Sequence, residues 1–364
     1  MSRLHQLSEL GQSVWIDFLS RDLLETGALA RAVRDDAVVG VTSNPSIFEH
    51  ALSHGGAYDA QLASAVEDDA NAVFLSLALR DVGNACDLLR LVWEQTERRD
   101  GYVSIEVDPH LAHDAAATIA EAMLLHDAIS KPNLLVKIPA TEAGIRAIEE
   151  MTARGYSINV TLIFSLTRHR QVVDAYLAGL EKLVAAGGDP ARVHSVASFF
   201  VSRVDAETDR RLGEIDRNDL KARLGIANAK LAYQQYKELF RGERWEALAA
   251  HGATKQRCLW ASTSTKDVSL RDTLYVEELI GPETISTMPE ATIRAFQDYG
   301  RVDVTLESAL EEAQHLFQQL YAAGVDYEDV VATLEREGVE KFVASFDRLL
   351  EEIRARRRDL AAAA

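Results

Sequence analysis

Residues 133–138 read Asn-Leu-Leu-Val-Lys-Ile, apolar throughout the core of the run except for Lys137. A run this short and this apolar is what a parallel strand covered on both faces looks like. Seven similar runs lie along the chain: Val14–Leu19, Val38–Val41, Val103–Val107, Ser157–Ile163, Val193–Phe200, Gln256–Ala261 and Glu283–Thr287. Helical stretches separate them. Arg21–Val33 follows the first run, with Ser20 as its N-cap, and Phe74–Arg98, His110–Ser130, Thr141–Ala153, Ser165–Ala186, Leu220–Phe240 and Pro289–Tyr299 continue the alternation. Such alternation fits an open doubly wound sheet or a closed barrel. Eight strand-then-helix repeats favour the barrel, so the predicted class is α/β, a (β/α)8 TIM-type barrel with additional helices.

The expected organisation is one domain, residues 1–364. A barrel of this type needs about 250 residues. The remainder fits extra helices at about 51–69, within 204–251 and at 305–358. In the last of these, Phe342, Phe346, Leu349 and Ile353 recur at helical spacing and predict a helix packed on the barrel, while 355–364 reads as a frayed tail.

Lys and Arg total 39 and Asp and Glu 57, a net charge of −18. That balance argues against broad binding to nucleic acid or anionic membranes, so any phosphate site must be a local basic pocket in a negative envelope. No run of about 18 apolar residues is present to span a membrane, and the N-terminus MSRLHQLSELGQ has no secretory apolar region. Cys86 and Cys258 lie far apart and outside any CxxC pair, which fits a reducing, cytoplasmic setting better than a structural disulfide.

No glycine-rich nucleotide motif and no GxSxG elbow occurs. His50/His54 and His110/His113 have helical spacing but no matching carboxylate pattern, so they read as solvated or capping residues and no metal is expected. The informative positions are polar residues at strand ends, where barrels of this type place their chemistry. They are Asp17 in VWIDFL, Asn44 in GVTSNPSIF, Glu106 in VSIEVDP, Lys137 in NLLVKIPAT, Asn159 and Thr161 in SINVTLIFS, and Ser198 and Arg203 in SFFVSR.

A lysine inside a buried strand is either ion-paired, with Glu106 or Asp17 as partner, or used as an amine. The second use requires the neutral form, about one molecule in 2,500 for an ordinary lysine at pH 7, a fraction that desolvation raises. Such an amine attacks a ketone, and the iminium formed draws electrons from a neighbouring C–C bond. Asp17, expected in mid-strand, is either a buried paired carboxylate or the acid/base for the hydroxyl released as that bond opens. Glu106 is either a solvated turn acid or a base that activates water; two carboxylates in different environments divide these tasks better than one. Asn44 before Pro45 suits a helix N-cap as well as a ligand for hydroxyls. Asn159 needs a partner for its amide inside a β run, and Thr161 alone reads as a β-former. Arg203 suits either a surface ion pair or bidentate phosphate recognition.

The segments GVTSNPSIF, NLLVKIPAT, SINVTLIFS and TISTMPEAT, in this order, closely resemble transaldolase over roughly Leu10–Tyr299. The resemblance implies a (β/α)8 barrel that transfers a dihydroxyacetone unit from a ketose phosphate, such as sedoheptulose 7-phosphate or fructose 6-phosphate, to an aldose phosphate, with no cofactor and no metal. It implies Lys137 as the Schiff-base lysine, Asp17 as general acid/base and Glu106 with Thr161 as the pair placing catalytic water. It implies Asn44, Asn159 and Thr42 as ligands of the dihydroxyacetone unit, and Ser198 and Arg203 as part of the phosphate site. The sequence departs from the family after the seventh strand, where WASTSTKD stands in place of a Gly-Ala-Ser segment with a phosphate-binding arginine. Lys266 is the nearby cation there and takes that role by analogy. Expected partners are sugar phosphates, with the chain a monomer or homodimer. Two rival readings are a Schiff-base fructose 6-phosphate aldolase that releases free dihydroxyacetone, against which Glu106 and the chain length argue, and a non-catalytic sugar-phosphate-binding barrel.

Overall fold

The computed structural model describes residues 2–363. Eight strands close into a parallel barrel in sequence order: β1 (Gln12–Ile16), β2 (Val38–Val41), β3 (Tyr102–Glu106), β4 (Leu134–Pro139), β5 (Ile158–Ile163), β6 (Ser195–Phe200), β7 (Arg257–Ala261) and β8 (Thr284–Met288). β1 returns to β8 in continuous register from Gln12↔Thr284 to Ile16↔Met288, which removes both sheet edges.

The parity of the strands sorts their side chains. In β4, Leu134, Val136 and Ile138 pack outward against the helices, and Leu135 and Lys137 therefore face the barrel axis. The same alternation sends Ser104 and Glu106 of β3, Asn159 and Thr161 of β5, and Ser198 and Phe200 of β6 inward, while Val103, Ile105, Ile158, Val160, Ala197 and Phe199 join the outer layer. At the N-terminal ends of the strands the axis is filled by Trp15, Tyr102, Leu135, Val196, Leu259 and Ile285. Gly40 makes room for that plug: a Cβ there would sit 2.4 Å from the Trp15 ring.

The eight expected strands form, with ends shifted by at most two residues, except that β1 stops at Ile16, three residues before the expected Leu19. Several helices differ. The expected helix Arg21–Val33 is two, Arg21–Glu25 and Ala28–Asp35, divided at Gly27, which adopts φ +69°; Ser20 caps the first through its side chain. The expected helix at His110 begins at Ala115, after a 3-10 turn at Pro109–Leu111, and the one at Leu220 begins at Leu224. Helices outside the barrel repeat run over Pro45–Ser53, Asp59–Ser64, Ser202–Glu214, Glu243–Ala250, Leu310–Ala322 and Tyr327–Ala363. The tail is not frayed: the last helix continues to Ala363, anchored by Arg356 on Asp59 and by Arg357 on the carbonyls of Ala65 and Glu67. Position 364 lies outside the described residues. Cys86 and Cys258 are both buried free thiols. No helix among the described residues is long and apolar enough to cross a membrane.

Candidate active site

At the C-terminal ends of the strands a cavity of about 200 Å³ is lined by Asp17, Thr42, Asn44, Lys137, Thr161, Ser198, Phe200, Arg203, Lys266, Thr287 and Phe342, among others. Larger cavities, of about 310 and 540 Å³, open around Arg98 at the opposite end, and neither contains any of the ten candidate residues.

Lys137 is the centre of the small cavity. Its Nζ lies 3.2 Å from a Glu106 carboxylate oxygen, both side chains being about 5% exposed or less, and donates to the carbonyl of Ser43 at 3.0 Å. Strand register explains the pair: Glu106 and Lys137 are direct neighbours across β3 and β4 and both point inward. The contact is one of charge, because the Glu106 oxygen nearest the amine makes no well-aligned hydrogen bond. Burial pushes the Glu106 carboxyl above its ordinary value, against the lowering effect of Lys137 and, further off, Arg203. Glu106 is not among the cavity walls and meets the site through Lys137.

Asp17 lies one residue past β1 rather than in mid-strand, with its N–H bonded to the carbonyl of Met288 at 2.9 Å. Thr42 donates to its carboxylate at 2.7 Å, and the Thr42 hydroxyl is also 2.7 Å from that of Thr287. Since Thr42 has one proton to give, the direction of the chain is Thr287 to Thr42 to Asp17. Thr287, held in turn by Thr263, which donates to its carbonyl at 2.8 Å, was not singled out in the sequence; its position next to Met288 at the end of a strand is the signal for it.

Asn44 is an N-cap: its Oδ1 accepts from the N–H of Ile47 at 3.1 Å, with Pro45 opening the helix. Its amide N–H₂ remains available on the cavity side. Asn159 is spent differently. It donates to Ser104 Oγ at 3.0 Å and accepts from Ser198 Oγ at 2.7 Å, an inward relay that places Ser198 on the cavity wall and Asn159 behind it. Thr161 Oγ1 is buried in the cavity without a protein partner. The turn after it is unusual: Leu162 adopts φ +58° inside β5, where register with β6 slips, at an intrinsic cost of about 1–2 kcal/mol.

Arg203 opens the helix after β6. Its guanidinium lies 4.9 Å from the Phe200 ring and 5.5 Å from the Phe342 ring, and Nη1 is buried without a partner. Burial lowers its pKa, with Glu106 and Asp17 acting the other way. Lys266 stands at the exposed rim and donates to Ser264 at 3.1 Å. The histidines are engaged elsewhere: His50 stacks on His54, and His110 sits between Asp108 and Asp347.

A buried amine beside a desolvated carboxylate, with a second carboxylate held by a hydroxyl chain and an arginine farther along the cavity, is equipped for imine chemistry on an anionic carbonyl compound. Comparison with known proteins agrees. The family profile described as Transaldolase/Fructose-6-phosphate aldolase matches residues 14–353. A protein named transaldolase from Acidothermus cellulolyticus is 52% identical over 95% of this chain and 94% of its own length. Transaldolases from Mycobacterium leprae and Mycolicibacterium smegmatis are 50% and 51% identical, each over 96% of this chain and 95% of their own length. With strand order, inward-facing residues and relatives in accord, the chain belongs to the transaldolase/fructose-6-phosphate aldolase family.

Proposed function

We propose that this protein is a transaldolase, which moves a dihydroxyacetone unit from sedoheptulose 7-phosphate or fructose 6-phosphate to glyceraldehyde 3-phosphate or erythrose 4-phosphate, as in the non-oxidative pentose phosphate pathway. The observation that carries this reading is the buried Lys137–Glu106 contact at the chemical end of the barrel, with Asp17 on the same cavity.

Glu106 accepts the ammonium proton of Lys137, which then adds to the C2 carbonyl of the donor. Loss of water, positioned by Thr161 and Glu106, gives the iminium. Asp17, oriented by Thr42, takes the C4 hydroxyl proton as the C3–C4 bond breaks; the electron pair passes into the iminium and forms an enamine. The shorter aldose phosphate leaves. The enamine attacks the next aldehyde, Asp17 returns its proton to the new hydroxyl, and hydrolysis of the imine frees the product. The Asn44 amide and Asn159 support binding of the three-carbon unit, with Thr42 beside them, and Ser198, which donates to Asn159, belongs with Arg203 to the phosphate site. Arg203 and Lys266 bind phosphate, the arginine as a bidentate plane and the lysine as a point charge.

The chemistry resides on a single barrel domain that works without cofactor or metal, as a monomer or homodimer, on sugar phosphates rather than nucleic acid. Two buried free thiols suit the cytoplasm.

Borohydride reduction in the presence of fructose 6-phosphate is the direct test. The reduced three-carbon adduct is expected on the peptide containing Lys137; no adduct there overturns the mechanism. Consumption of erythrose 4-phosphate is expected to accompany donor cleavage, whereas rapid release of free dihydroxyacetone without acceptor would show an aldolase instead.

A further inference from the structure

The helix Tyr327–Ala363 lies outside the barrel repeat, yet it enters the site. Several contacts hold it over the mouth. Ser46 donates to Ser345 at 2.8 Å, Arg348 pairs with Glu49 at 2.6 Å, and Arg168 pairs with Glu335 at 3.0 Å. Gly338 lets it approach the bulged end of β5: a Cβ there would meet Leu162 at 3.2 Å and Phe164 at 3.3 Å. Four residues on, one helical turn, Phe342 is 4% exposed and forms part of the cavity wall.

The position of Phe342 matters because of what Arg203 lacks. Among the described residues no carboxylate lies within 4 Å of the Arg203 guanidinium, and no side-chain hydrogen bond fixes it; its Nη1 is buried and unpartnered. A long cationic side chain with no polar anchor ordinarily samples many rotamers. Here two aromatic rings, one from β6 and one from the C-terminal helix, approach its Cζ at 4.9 and 5.5 Å. Ring faces attract the cation without consuming its N–H groups, so the donors remain free for an incoming anion.

We propose that Phe342 is a positioning residue for phosphate recognition: together with Phe200 it holds Arg203 ready for the phosphate of the sugar, so that the C-terminal helix sets the preference for phosphorylated over unphosphorylated ketoses. This rests on the assignment of Arg203 to the phosphate end. Ordering the arginine before the ligand arrives lowers the entropy lost on binding, and the effect falls on affinity rather than on the steps at Lys137.

The test compares Phe342→Leu, which keeps apolar bulk without a ring, with Phe342→Tyr, which keeps the ring. Phe342→Leu is expected to raise the KM for fructose 6-phosphate about 3- to 10-fold and to weaken competitive inhibition by inorganic phosphate by the same factor. Its kcat, and borohydride trapping of dihydroxyacetone on Lys137, are expected to change much less. Phe342→Tyr is expected to restore tight phosphate binding. In an Arg203→Ala background, Phe342→Leu is expected to add nothing further to KM. Equal losses for fructose 6-phosphate and dihydroxyacetone, no recovery with tyrosine, or additive effects in the double variant would each overturn the proposal. If Arg203→Ala itself leaves phosphate inhibition intact, it is the assignment of Arg203 that fails, and the two failures are thereby distinguished.

Discussion

The two ends of the barrel each bury an ion pair, and they treat it in opposite ways. At the N-terminal ends of the strands Arg257 meets Asp100 at 2.9 Å, with side chains 11% and 8% exposed. Asp100 also accepts from Ser13 at 2.8 Å and from the Trp15 indole at 3.3 Å, and Arg257 donates further to Ser13 and to the carbonyl of Arg99. At the C-terminal ends Lys137 meets Glu106 at 3.2 Å, but the facing Glu106 oxygen, Thr161 Oγ1 and Arg203 Nη1 lack hydrogen-bond partners. A buried polar group left unpartnered costs about 1–3 kcal/mol. The Arg257–Asp100 pair at the foot is saturated by its neighbours; the pair at the mouth keeps valences open, which on the proposed function a substrate fills. In this fold, polar groups at the foot serve stability and those at the mouth serve chemistry.

Exchanging damage between the ends would break the comparison. The largest effect is expected for Lys137→Met: transfer activity falls below detection in a coupled assay while the chain remains folded. The stability this variant loses should shrink as pH falls. Glu106, stranded without its amine, has a raised carboxyl pKa, so the protonated form favours the fold at lower pH and the benefit is lost as pH rises. Persistent turnover in purified Lys137→Met would end the comparison outright. Asp100→Ala is the converse. Unfolding by urea should show a loss of about 3–5 kcal/mol, because Arg257 is left without its counter-charge, with kcat per folded molecule unchanged; a matching fall in kcat would show that the ends are coupled.

Glu106→Gln sharpens the chemical side. Transfer is expected to slow about 10²- to 10⁴-fold, and the acid limb of the pH–rate profile, which on the proposed mechanism follows loss of the Glu106 proton, should flatten. A limb of unchanged midpoint would assign it to another group.

The smallest effect tests whether saturation or location decides a residue's role. Asp205 lies near the mouth, two residues after Arg203, but it is satisfied like the foot, accepting from the N–H of Gly225 at 2.6 Å and from Tyr275 at 2.9 Å. Burial pushes its carboxyl up to about 7, against those hydrogen bonds. The folded state therefore holds a proton that the unfolded chain has released, and stability falls as pH rises from about 4 to about 7, by at most about 1.4 kcal/mol per pH unit. Asp205→Asn should remove its share of that slope in urea midpoints, Glu121, which burial also raises to about 7, keeping its own, and should leave KM for fructose 6-phosphate unaltered. An undiminished slope would place the titration elsewhere.

The barrel was legible because each strand is a short, mostly apolar run set off from the next by a helical stretch. Lys137 stands out in NLLVKI against that apolar background. VWIDFL reads as continuous β and so predicts Asp17 in mid-strand, whereas β1 ends at Ile16 and the carboxylate turns toward Thr42. The break at Gly27 is not legible because helical periodicity survives a single left-handed residue. Thr287 and Phe342 were harder still. A threonine in a strand and a phenylalanine at helical spacing are ordinary residues until a neighbour distant in sequence gives them a role. The foot network was invisible for the same reason: nothing local ties Asp100 to Arg257. The continuation of the last helix to Ala363 depends on arginines that reach Asp59, Ala65 and Glu67 across the surface.

The missing side chain at Gly40 has a consequence for traffic. With the Trp15 indole drawn across the axis and packed among Tyr102, Leu135, Val196, Leu259 and Ile285, the barrel is a vessel with a solid floor. That layer separates the Lys137 amine from the solvent below the strands, so on the proposed mechanism its protons and water are exchanged at the mouth. An engineer can therefore rebuild the underside of this molecule, for heat resistance or attachment to a support, without opening a second door onto the reaction.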